Sequence, residues 1–175
     1  MSDEQTAGSE IVIRPMNLSD LDAILSIDRK IRATGEAVTY AKLTTEHIFA
    51  IDRKSKRQAR PTGYADLITE DVRGLLELSS VAEVDGHVRG FILGDIAHIG
   101  EAATETGTIL IVGVHPEYQR RSIATKLVNA LAEKYRSKGI NKIRLGINTR
   151  DKGLVTFAEH MGFSPGHLVV YSKAL

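Results

Sequence analysis

The chain contains no cysteine. That excludes disulfides, thiolate metal ligands and an acyl-cysteine intermediate together. No apolar run approaches the ~20 residues of a membrane-spanning helix, and the first ten residues are polar rather than signal-like. The chain is therefore expected in the cytoplasm, with no membrane partner. Nucleotide-binding signatures are missing too: neither Gly-x-x-x-x-Gly-Lys-Ser/Thr nor Gly-x-Gly-x-x-Gly occurs. The histidines (His47, His87, His98, His115, His160, His167) are scattered, and no pair has the i, i+4 spacing of a helical zinc site, so no metal is expected. A net charge of +1 gives no reason to expect nucleic acid. The basic run from Arg53 to Arg60 reads as a solvated helix face.

With those classes removed, 175 residues of ordinary composition suit one globular domain. Residues 1–10 read as a flexible N-terminus and 11–175 as the domain. Ile11-Val12-Ile13 predicts a strand. Ser19 and Asp22 have capping-box character before a helix striped by Leu21, Ile24, Leu25, Asp28 and Ile31. Helices are expected over Thr44–Gln58 and Thr69–Leu78. Val81–Val84, Asp85-Gly86 and His87–Leu93 form a hairpin around a type I′ turn dipeptide. Thr108–Val114 is nearly continuous in apolar residues, as for a strand covered on both faces. A helix follows Ser122, with Ile123, Leu127, Ala130 and Leu131 on one face and a stop at Gly139. Lys142–Ile147 alternates as a half-buried strand. Asp151 caps a short helix ending at Gly162, with Leu154, Phe157, Ala158 and Met161 inward. His167–Lys173 predicts a last strand.

The most informative stretch joins the central strand to the helix after it: Val112-Gly113-Val114-His115-Pro116-Glu117-Tyr118-Gln119-Arg120-Arg121-Ser122-Ile123-Ala124-Thr125. A helix that starts straight out of a basic turn offers unpaired N–H groups and the positive end of its dipole at one point. That is an anion cradle, with Arg120 and Arg121 beside it. The stretch resembles the acyl-CoA site of the GNAT superfamily of N-acetyltransferases, whose pattern Gln/Arg-x-x-Gly-x-Gly/Ala is here Gln119-Arg120-Arg121-Ser122-Ile123-Ala124. Serine stands where the family usually has glycine. The resemblance spreads over almost the whole chain through Ile13-Arg14-Pro15, Val84-Asp85-Gly86 with Gly90-Phe91, and Phe157-Ala158-Glu159-His160-Met161-Gly162-Phe163.

The resemblance implies an α/β fold with a central mixed, mostly antiparallel sheet, splayed at its middle, with helices on both faces. It implies acetyl transfer from acetyl-CoA, as co-substrate and without metal, directly to a primary amine in a ternary complex. The expected partners are thus acetyl-CoA and an amine-bearing acceptor, with a homodimer allowed. The cofactor-binding residues it implies are Val112, Gly113, Val114, Gln119, Arg120, Arg121, Ser122, Ile123, Ala124, Thr125, Asn148 and Phe157. The backbone N–H of Val114 would polarise the thioester carbonyl. The sequence departs from the family at both usual catalytic side chains: Thr108 replaces a glutamate base, and Ala158 replaces a tyrosine acid. Glu105, Glu83 and Tyr171 are the candidate substitutes. Glu101 and Glu105 hint at a cationic acceptor, chosen by the Thr34–Ser80 and Asp95–Thr106 regions. The rival reading is a catalytically silent acyl-CoA-binding module of the same fold.

Overall fold

Ile11–Pro15 forms β1, which pairs antiparallel with β2, Ser80–Val84. The chain then turns through Asp85 (φ +52°) and Gly86 (φ +73°) into β3, His87–Ile99. Positive φ at both central residues is the type I′ geometry that the Asp-Gly dipeptide predicts. β3 pairs antiparallel with β4, Thr104–Val114, and β4 pairs parallel with the short β5, Ile143–Leu145. Among the described residues the result is a five-stranded mixed sheet in the order β1-β2-β3-β4-β5. In the computed structural model, residues 10–34, 76–99, 104–147, 149–167 and 174 are described. The helices expected over Thr44–Gln58 and most of Thr69–Leu78 lie outside them, as does all but His167 of the last expected strand.

Among the described residues, helices lie on both faces of the sheet. Helix α1, Leu21–Thr34, buries Ile24, Ile27 and Ile31 against Val81, Phe91, Leu93 and Ile111. Helix α2, Ile123–Ser137, buries Ile123, Leu127, Val128, Leu131 and Tyr135 against Ala82, Ile92, Ile109, Val112 and Val114. Adjacent residues of β3 therefore serve opposite cores, as the strand pleat requires. α2 ends beyond Ser137, with Gly139 at φ +78°. The expected inward stripe of α2 holds except that Val128 and Tyr135 are buried where Ala130 is half-buried. Helix α3, Lys152–His160, follows β5, capped by Asp151 Oδ1 accepting from Leu154 N–H at 3.1 Å.

Two local expectations change. The capping box before α1 is formed two residues early: Asn17 Oδ1 accepts from Ser19 N–H, and Asp20 Oδ2 accepts from Asn17 N–H at 2.9 Å. Asn17 wins because it opens a short 3-10 turn, Leu18–Asp20, ahead of the helix proper. Asp20 is also held by Arg14, whose guanidinium meets both its oxygens at 2.7 and 2.8 Å. β5 runs only over Ile143–Leu145, because its partner β4 leaves it after Ile109.

Two register shifts shape the sheet. Ala82 opposes Gly90 and Glu83 opposes Val88, leaving Arg89 as the extra residue of β3. Leu93 opposes Ile111 and Gly94 opposes Ile109, leaving Leu110 as the extra residue of β4. Each is a β-bulge, which bends a strand and redirects its backbone groups.

Candidate active site

The backbone of β4 past its bulge is where the site begins. His115 N–H donates to Arg89 O at 2.8 Å, which fixes the phase of the β3–β4 ladder there. Antiparallel pairs alternate between bonded and non-bonded. Gly113 opposite Phe91 therefore bonds to β3, while Val114 and Val112 turn their N–H and C=O groups to the other side. On that side β5 has already ended, since its last partner is Ile109. Among the described residues Val112 and Val114 thus face a gap in the sheet, as a splayed strand pair should leave. Gln119 reaches across it, its side-chain amide donating to Val114 O at 3.3 Å. Gly113 serves packing: a Cβ there would stand 2.7 Å from the Phe91 ring.

The chain then passes through His115 and a Pro116–Tyr118 turn to the start of α2. Arg120 and Ser122 both have positive φ, +64° and +61°. For an L-residue this left-handed region is disfavoured by about 1–2 kcal/mol. The family's glycine at the Ser122 position thereby has a physical explanation, and Ser122 carries the strain itself. Its hydroxyl makes no capping bond, and the first turn of α2 contains no acidic residue. The N–H groups of Ile123, Ala124 and Thr125 are consequently uncapped, at the positive end of a 15-residue helix. Ile123 contributes only its backbone here, because its side chain is buried beneath Gly90.

Cationic side chains collect around the same turn. The Arg121 guanidinium lies 5.0 Å from the Tyr118 ring centre, and that of Arg89 lies 4.7 Å from it. Arg120 is exposed. Among the described residues no carboxylate pairs with Arg89, Arg120 or Arg121. An uncapped helix start beside unneutralised guanidiniums suits a pyrophosphate, so the residues present fit CoA. Ser122→Gly is expected to stabilise the protein by about 0.5 kcal/mol, relief of strain being partly offset by the freer unfolded chain. CoA affinity should be kept or tightened. Urea melts and calorimetry check both; weaker CoA binding would show the hydroxyl to be a ligand.

The candidate acid and base residues are less concentrated. Glu83 sits on β2, two strands from β4, and its Oε1 accepts from Arg14 Nε at 2.8 Å. Glu105 is exposed at the far end of β4, 3.5 Å from His98 Nε2. At ~3.3 Å per residue it is about 30 Å along the strand from Val114. The structure therefore gathers neither carboxylate at the gap. Thr108 is half-buried on β4, its carbonyl accepting from Tyr135 at 2.7 Å. His115 is buried, with Nε2 2.9 Å from Lys30 Nζ and Nδ1 facing Glu117 N–H. Burial first, and then the Lys30 charge, hold its pKa below the usual imidazole value. Phe157 is half-buried, packed on the α2-side core. Asn148 and Tyr171 lie outside the described residues.

The model of the acetyltransferase (GNAT) family matches residues 45–163. Among solved structures, an aminoglycoside N-acetyltransferase in complex with CoA is similar over 97% of each chain, with 17% identity and a TM-score of 0.65. A ribosomal-protein-alanine N-acetyltransferase from Brucella melitensis biovar Abortus 2308 covers 95% of this chain and 100% of its own, at 16% identity and TM-score 0.64. A transcriptional regulator from Bacillus halodurans C-125 covers 94% of this chain and 100% of its own, at 18% identity and TM-score 0.64. At such identities these likenesses speak to the fold. The matched family model spans the splayed strand, the cradle loop and α3 together, and on that match the chain belongs to the GNAT acetyltransferase family.

Proposed function

We propose that the chain, with residues 11–175 as one domain, is an N-acetyltransferase that moves acetyl from acetyl-CoA directly to a primary amine in a ternary complex. The amine would belong to a small molecule or to a protein N-terminus or lysine. One observation carries the reading. The uncapped start of α2 and the backbone of Val112 and Val114, with which no strand pairs on that side among the described residues, lie at the same end of β4, so a phosphate holder and a peptide-like edge are contiguous.

Bound acetyl-CoA would supply an electrophilic thioester carbonyl and a thiolate leaving group. The N–H groups of Ile123–Thr125, with Arg120 and Arg121, hold its pyrophosphate. The Val112–Val114 edge takes an extended amide arm as an added strand, which can replace the Gln119 bond to Val114 O. The Val114 N–H is proposed to polarise the carbonyl. Asn148, Phe157 and Tyr171 complete the proposed set, as arm ligand, packing wall and acid.

No side chain is expected to be an indispensable base. Glu83→Gln and Glu105→Gln should each lower turnover by less than the ~10²-fold that marks a true general base. Turnover should instead rise with pH as the acceptor amine becomes neutral, because alignment of a neutral amine supplies much of the rate. Steady-state pH profiles of both variants check this, and a larger loss in either would reveal a displaced catalytic carboxylate.

The cradle has its own test. Arg121→Ala and Arg120→Ala are each expected to weaken CoA binding by about 1–3 kcal/mol, the range for charge-assisted bonds to phosphate. Calorimetry with CoA measures it, and unchanged affinity in both variants would remove the cradle from this loop. Thiol release against amines, peptides and aminoglycoside-like compounds then tests transfer. Thr108 and Ala158 at the usual catalytic positions favour a second reading, an acyl-CoA-binding sensor or regulatory module. Tight acetyl-CoA binding without turnover on any amine would select it.

A further inference from the structure

Helix α2 lays one fully buried stripe on the sheet: Ile123, Leu127, Leu131 and Tyr135, each four residues from the last. The stripe begins under Gly90, where a Cβ would stand 2.7 Å from Ile123 Cγ2. It ends under Gly94 and Gly107. A Cβ at Gly94 would stand 2.6 Å from the Tyr135 hydroxyl, and one at Gly107 2.6 Å from its ring. Two glycines on neighbouring strands therefore form the seat of a tyrosine at the far end of the helix.

The hydroxyl sits within the hydrogen-bond ladder of the sheet. It accepts from Asp95 N–H at 3.1 Å and lies 2.7 Å from Thr108 O and 2.9 Å from Asp95 O. Its single proton goes to the shorter contact, the Thr108 carbonyl. Asp95 and Thr108 are directly opposed on β3 and β4. Gly107 N–H donates to Lys142 O, on the β5 side, so the next residue, Thr108, faces β3. A regular pair there would join Asp95 N–H to Thr108 O directly. The tyrosine hydroxyl bonds to both of those groups.

That contact coincides with the two events that shape the site. Ile109 makes the last pair with β5, and Leu110 is the bulge residue. The bulge also changes the phase of the strand. Thr108 faces β3, so without an extra residue Leu110 would bond to β3, and Ile111 and Gly113 would face the gap. With it, the groups facing the gap are Val112 and Val114.

We propose that Tyr135 is a positioning residue for acetyl transfer. Its hydroxyl, bonded to both strands of the β3–β4 ladder, holds the Leu110 bulge in register and so decides which N–H groups of β4 face the acyl group. The inference rests on the proposed function. It adds to it a residue that touches no substrate and acts through the strand.

The test is Tyr135→Phe in the full chain, which keeps the ring and removes the oxygen. Amide hydrogen exchange over residues 109–114 should quicken about tenfold relative to α1, as expected when a buried hydrogen bond is lost. The Kd for CoA, set at the other end of α2, should stay within about twofold of wild type. Meanwhile kcat for thiol release from acetyl-CoA should fall about tenfold at nearly constant KM. Leu131→Ala, on the same stripe, should lower overall stability without this split. Should Tyr135→Phe fail to fold, 3-fluorotyrosine at position 135 keeps both ring and hydroxyl and should still shift exchange over the same residues. Unchanged exchange at residues 109–112, or the same kcat-only loss in Leu131→Ala, overturns the proposal. A wild-type protein that binds CoA but turns nothing over sinks the proposed function instead, and exchange in Tyr135→Phe still judges the hold on the bulge.

Discussion

Gly107→Ala is expected to cost about 3 kcal/mol, at the upper end for overpacking by one methyl group. The added carbon would stand 2.6 Å from Tyr135 Cδ2 and Cε2 and 2.8 Å from Cγ. A flexible side-chain end could swing away, but a ring cannot. This ring is completely buried and bonded through its hydroxyl to two strands. Relief must come from moving β4 or α2, both of which build the site. Urea midpoints measure the cost, and a loss below ~1 kcal/mol would mean that the ring has slack the structure does not show. Activity should fall with stability here, unlike in Tyr135→Phe, because the whole seat is displaced.

Arg14→Met should be the second large effect, a loss of about 2–3 kcal/mol at neutral pH. Removing one partner of a buried ion pair leaves the other charge uncompensated, and the figure is reduced because the Arg14 side chain is 29% exposed. Asp20 would keep only the N–H of Asn17. The sign of the pH dependence follows from the carboxyl. Arg14 holds the Asp20 pKa below its ordinary value of 3.8, so the pair stabilises the fold above that pH. The contribution is lost as pH falls through the lower, folded value. The gap between wild type and Arg14→Met should therefore be full at pH 7 and narrow below about pH 4. A gap equally wide at pH 3 would mean that Arg14 acts through packing alone.

What could be read in advance was what short stretches of chain decide for themselves. Asp85-Gly86 must turn as it does because few other dipeptides accept two positive φ angles. Asp151 caps α3, and Gly139 and Gly162 carry the positive φ that closes α2 and α3. The uncapped start of α2 was legible for the same reason, since it is a helix start that the sequence marks directly.

Features made by residues distant in the chain were not legible. Glu83 looked available as a base until folding brought Arg14 against it, 69 positions away. Nothing local to Tyr135 says that its hydroxyl bonds to Asp95 and Thr108 on two strands. The Leu110 bulge arises from pairing with β3 and has no local signal among apolar neighbours. Ser122 was the intermediate case. Its departure from glycine was visible, but its left-handed conformation depends on how the loop enters α2.

The span of α2 has a mechanical consequence. The helix is a strut with a feature at each end: the uncapped entry at Ser122, proposed to hold phosphate, and the Tyr135 hydroxyl bonded to β3 and β4. Between them the rise is fixed at ~1.5 Å per residue, giving a length close to ~20 Å. A single deletion inside the strut would draw its ends together by ~1.5 Å and swing the phenol about 100° off the sheet. The two ends of the proposed acyl-CoA groove therefore cannot be tuned separately by changing the helix between them. Length changes are better absorbed beyond Gly139, outside the strut.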